Sequence, residues 1–109
     1  MREKIYEGSK VPLNISLNRF GSFSMAQYDF TIYYYCSKDK VIEVKKGDAT
    51  KVNDDNYMFI ADTSLTGRGK LRCAVLAYVP DTNLPELIRP EIIDDIDSGY
   101  DVVETVVKL

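Results

Sequence analysis

Hydrophobic and polar residues alternate with a period of two along most of this chain. Val11, Leu13, Ile15 and Leu17 alternate with Pro12, Asn14 and Ser16, which predicts a strand with one buried face. Gly21-Ser22-Phe23-Ser24 breaks that pattern. Residues 28–36 carry the strongest strand signal, being rich in the aromatic and β-branched side chains that fit a pleated, half-buried surface. Successive strand residues point to opposite faces. Tyr28, Phe30, Ile32, Tyr34 and Cys36 therefore share one face, and Asp29, Thr31, Tyr33, Tyr35 and Ser37 the other. The first set is assigned to the core.

Downstream, Ser37-Lys38-Asp39-Lys40 predicts a turn into a strand at 41–44, and Lys46-Gly47-Asp48 a second turn. A short strand at 50–52 leads to Asn53-Asp54-Asp55-Asn56, side chains that bond their own backbone in turns. A strand at 57–61 follows. Asp62-Thr63-Ser64-Leu65 reads as a capped single helical turn, ended by Gly67 and Gly69. From 70 to 79 the alternation is clean, with Leu71, Cys73, Val75 and Ala77 on one side. Pro80, Pro85 and Pro90 bracket a loop and confine the neighbouring strand to a sheet edge. Residues 87–96 are ambiguous, and Val102-Val103 with Val106-Val107 suggests a closing strand. Seven or eight short strands at this spacing predict an all-β fold, a two-sheet antiparallel sandwich of immunoglobulin-like type.

The length of 109 residues suits a single domain over 1–109, with residues 1–9 as a flexible amino-terminal arm. Composition changes the picture mainly by exclusion. Fourteen Lys and Arg against 17 Asp and Glu give a net charge of −3, and a nucleic-acid partner calls for a basic face that displaces counterions from phosphate. The densest basic group, Lys38, Lys40, Lys45, Lys46 and Lys51, is interrupted by Asp39, Glu43 and Asp48 and reads as a solvated surface. No apolar run is long enough to span a membrane. The first eight residues form no signal peptide, so the expected location is cytoplasmic at synthesis, where the Asn14-Ile15-Ser16 sequon would go unused.

Candidate chemistry is sparse. The chain has no histidine, which removes Ser-His and Cys-His dyads and imidazole metal ligands. Cys36 and Cys73 cannot close a zinc site alone. They read as two reduced buried thiols, with an inter-sheet disulfide as the alternative in a sandwich. The acidic run from Asp94 to Asp101 invites a calcium reading. Counted from Asp95, however, Tyr100 stands where the turn glycine belongs and Val106 where the bidentate Glu belongs. A solvated turn between edge strands is the better account. Gly67-Arg68-Gly69-Lys70 lacks the spacing of a phosphate loop and reads as a turn. No catalytic residue, cofactor or metal site is therefore expected. Tyr33 and Tyr35, on the face read as exposed, read first as cross-strand packing within that outer face, and they are also the candidate interaction surface, since tyrosine combines an apolar body with a polar tip.

Four stretches together resemble a set of phage and prophage proteins of gut bacteria. They are Met25-Ala26-Gln27-Tyr28-Asp29-Phe30, the run from Asp62 to Leu71, Val79-Pro80-Asp81, and Ile88-Arg89-Pro90-Glu91-Ile92. Those proteins are in turn similar to the immunoglobulin-like amino-terminal domain of phage baseplate upper proteins. The resemblance covers roughly residues 10–103. It departs at Leu84-Pro85-Glu86-Leu87 and at Asp97-Ser98-Gly99-Tyr100, both read as loops. It implies a non-enzymatic tail or baseplate component, found in the virion, that packs against copies of itself or other phage structural proteins. A carbohydrate- or cell-surface-binding module using the same tyrosines is the alternative.

Overall fold

The computed structural model describes residues 2–16, 29–80, 83–85 and 88–107. Among the described residues there are eight strands. They are β1 (Glu3–Tyr6), β2 (Lys10–Ser16), β3 (Phe30–Tyr35), β4 (Ile42–Lys45), β5 (Thr50–Asn53), β6 (Asn56–Asp62), β7 (Gly69–Pro80) and β8 (Ile88–Val103). One helical turn, α1 (Thr63–Thr66), joins β6 to β7. A five-stranded sheet has the order β1-β8-β7-β3-β4, and a three-stranded sheet the order β2-β6-β5. All pairings are antiparallel except that of β1 with β8. Two sheets exchanging strands in this order form a β-sandwich of immunoglobulin-like type.

The alternation read from the sequence sets the inner faces. Val11, Leu13 and Ile15 of β2 and Tyr57, Phe59 and Ala61 of β6 meet Phe30, Ile32, Tyr34, Leu71, Cys73, Val75 and Ala77 in one cluster. Phe30 lies edge-on to Tyr57 with ring centroids 5.0 Å apart, and Tyr34 stands 5.7 Å from Phe59, so aromatic pairs rivet the two sheets. Each fully buried side chain such as Phe30 or Ile32 contributes about 1.5–3 kcal/mol of burial free energy. Tyr28, assigned to this face, lies outside the described residues.

The capped turn forms as the sequence indicates. Asp62 accepts the Ser64 backbone N–H at 3.0 Å, and Gly67 closes the turn at φ 74°. Pro90 sits opposite Tyr78, on a stretch of β8 where β7 is the neighbouring strand among the described residues, since β1 pairs with Tyr100–Val103. Among the described residues Pro90 thus lies on an edge stretch of the sheet, a position where proline is tolerated.

Three expectations are corrected. Residues 3–6 of the expected arm form the parallel strand β1, pinned by Arg2, which bonds Asp97, Asp101 and the Tyr100 carbonyl. The run from Asp94 to Asp101 is not a turn between strands but the middle of β8. Its turn-forming residues are used in two bulges, one where Asp94 and Asp95 together oppose Ala74, the other around Ser98 and Gly99. Asp95 takes φ 53° and Gly99 φ 85°, backbone shapes those residue types tolerate. The departure at 97–100 therefore falls in a strand, and Val106-Val107 lies beyond the last one, which ends at Val103.

Candidate interaction surface

The outer face of the five-stranded sheet is built from the positions that alternate with the core. Register places Tyr33 of β3 beside Ala74 of β7 and Glu43 of β4, and sets Thr31 beside Leu76, which in turn pairs with Ile92 of β8. Ala74 is the small residue in this patch, and around it lies an open hollow of about 220 Å³. Tyr33, Tyr35, Lys38, Val41, Ile92 and Asp94 complete its lining. Ile92 is 72% exposed and Val41 47%, so two aliphatic side chains stand in water at the hollow's edge.

The two tyrosines singled out from the sequence are brought together here but have different fates. Tyr33 is half-buried and open to the hollow. Tyr35, expected to be exposed, is only 2% accessible. The physical reason is the first bulge of β8, which carries Asp94 and Asp95 over the tyrosine. The Tyr35 hydroxyl donates to Asp94 Oδ1 at 2.6 Å and lies 3.2 Å from Asp95 Oδ1. The Arg72 guanidinium covers the ring at 4.9 Å, while donating to Asp95 Oδ1 at 3.0 Å and to the Cys36 carbonyl at 3.2 Å. Burial, and then the two carboxylates it bonds, push the Tyr35 phenol well above its ordinary value. Asp94 is held below the usual carboxylate range, first by the Tyr35 hydroxyl and then by the Asp95 N–H.

The result is a hydrogen-bonded floor bordered by paired charges. Tyr35, Arg72, Asp94 and Asp95 are locked to one another, and the rim carries paired charges: Lys38 with Asp94 at 3.7 Å and Lys45 with Glu43 at 3.9 Å. The remaining lysines of the basic group are spread elsewhere. Lys51 pairs with Asp54 at 3.0 Å, and Lys46 lies over the Phe30 ring at 5.6 Å.

Cys36 and Cys73 are both free and buried. Cys73 lies in β7 opposite Tyr34, and Cys36 directly follows the neighbouring strand β3 of the same sheet, one pleat beyond Tyr34. The inter-sheet disulfide is thus excluded by topology. Diagonal positions of this kind are about 7–8 Å apart, too far for a disulfide. Burial pushes the Cys73 thiol up to about 12. Among the described residues, no cluster of metal-ligating side chains forms, and no helix is long and apolar enough to cross a membrane.

Sequence reasoning missed Ile92, Val41 and Ala74. Ile92 had a faint signal, since Ile92-Ile93 is an apolar pair at which strand alternation must expose one member. Nothing local marked Ala74, whose importance is that its small side chain leaves room.

No family model, curated protein or solved structure matches the chain. Its functional reading stands on this surface.

Proposed function

We propose that the chain is a non-enzymatic assembly module that acts through protein–protein contacts on the outer face of its five-stranded sheet. The observation that carries this reading is Ile92, 72% exposed beside a hollow it does not fill. Aliphatic side chains grouped around an open concavity and rimmed by charges are the composition of a docking surface, with an apolar centre and a polar edge. The hydrogen-bonded floor supports the same reading, because side chains already held by one another lose less entropy on docking.

The resemblance to phage and prophage structural proteins gives this module a setting, as a tail or baseplate component. The carbohydrate-binding alternative draws on the same tyrosines and is weakened by the position of Tyr35. Its ring faces Arg72 and lies under Asp94 and Asp95, so it offers no platform to a sugar. Only Tyr33 retains an open ring edge.

The test is fractionation of particles released from the source cells on a density gradient, with the chain followed by mass spectrometry. Co-sedimentation with tails in fixed stoichiometry is expected. Recovery solely in the soluble fraction would remove the tail or baseplate reading, and binding to a glycan array would move the alternative to the front.

A further inference from the structure

The geometry points to a second copy of this chain as the occupant of the hollow, with the two outer faces packed about a two-fold axis. This inference rests on the assembly reading of the same face and names its partner.

Three features favour a second copy over an unrelated protein. The first is self-complementarity. A two-fold contact uses the same patch on both subunits, so a patch that fits itself must hold both a projection and a recess. Ile92 supplies the projection and the space over Ala74 the recess, side by side on neighbouring strands. A volume of about 220 Å³ admits one branched aliphatic side chain from outside.

The second feature is charge. At the rim of the hollow, two exposed lysines each have an anion close by: Lys38 with Asp94 and Lys45 with Glu43. A rim of one sign would select a partner of the other sign and repel a copy of itself. A rim of alternating signs meets its own copy without net repulsion, and its exposed ion pairs can exchange partners across the contact at small cost.

The third is the edge geometry. On the outer face, Ile92 of β8 pairs with Leu76 of β7, and Tyr33 of β3 pairs with Ala74 two residues along β7, so apolar side chains border the recess from both sides. A sheet face bordered in this way packs on a like face, as the inner faces do in the sandwich itself.

The experiment is multi-angle light scattering on a size-exclusion column, run as a dilution series under reducing conditions. The wild-type chain is compared with Ile92→Asp, Ala74→Arg and the control Ile60→Asp, which lies on the outer face of the other sheet. Circular dichroism melts accompany each variant. The expected result is a wild-type species at twice the 12.4 kDa chain mass that dissociates on dilution. Ile92→Asp and Ala74→Arg should raise the dissociation midpoint at least tenfold with unchanged melting, and Ile60→Asp should behave as wild type. A monomer at every concentration overturns the second copy as occupant, and the particle fractionation then judges the assembly reading separately. A dimer that survives both face variants, or that the control disrupts equally, overturns this face as the contact.

Discussion

The hydroxyl of Tyr35 donates to Asp94 Oδ1 at 2.6 Å across two strands that are not adjacent, since β7 lies between β3 and β8. This bond fastens the bulge of β8 down over the sheet and seals a side chain whose strand position should have left it in water. The hollow above Ala74 is bounded by that bulge. Removing the hydroxyl takes one donor from carboxylates that keep the Asp95 N–H and Arg72, so Tyr35→Phe should cost about 1–2 kcal/mol in denaturant unfolding. A cost near zero would mean that water replaces the bond freely.

The same residue gives a pH signature. Its phenol is raised in the folded state, so above about pH 10 the unfolded chain releases a proton that the folded chain keeps. By linkage, the stabilisation is complete below that pH and declines as pH rises beyond it. Ultraviolet titration should show a late ionisation step that includes Tyr35 and Tyr34, which burial also raises, and Tyr35→Phe should shrink that step.

Asp95 holds φ 53°, a conformation that Asp, Asn and Gly accept and β-branched residues do not. Asp95→Asn keeps the bulge and loses only an exposed ion pair with Arg72, so its stability should fall by less than about 1 kcal/mol. Asp95→Val adds backbone strain and should cost about 1–3 kcal/mol. Equal costs in paired melts would show that the bulge does not depend on this backbone shape.

Arg2 anchors β1 through Asp97 and Asp101, and the Gly99 N–H and then Arg2 hold Asp97 at about 2. A depressed carboxylate stabilises above its ordinary range, near 4, and loses that contribution as pH falls toward 2. Hydrogen exchange should therefore show the amides of β1 opening faster in Arg2→Ala and in acid, with β7 unaffected. Uniform acceleration across both strands would contradict a local anchor.

The buried thiols should be inert. At neutral pH Ellman's reagent should find neither Cys36 nor Cys73 in the folded protein and both after denaturation, because burial raises each thiol's pKa. A mixed disulfide forming within minutes in the native state would show that one of them is reached by solvent.

What the sequence disclosed, and what it hid, follows from how local each signal is. The faces of β3 were legible at Phe30, Ile32 and Tyr34 because strand alternation is written in neighbouring residues. The cap at Asp62 was legible for the same reason. Tyr35 was not, since its burial depends on Asp94 and Asp95, some sixty residues away. The residues of the second bulge resembled a turn because bulges and turns demand the same backbone freedom from Asp and Gly. Strand β1 is four residues long, and its pairing depends on an arginine outside it, so no periodicity could announce it.

Hydroxyl-radical footprinting of the chain in its dilute and assembled states tests the central claim most directly. If the outer face of the five-stranded sheet is the working surface, Tyr33, Leu76 and Ile92 lose reactivity on assembly while Ile60 and Val52 of the other sheet keep theirs. Protection of Ile60 and Val52, with Ile92 unchanged, would contradict the account.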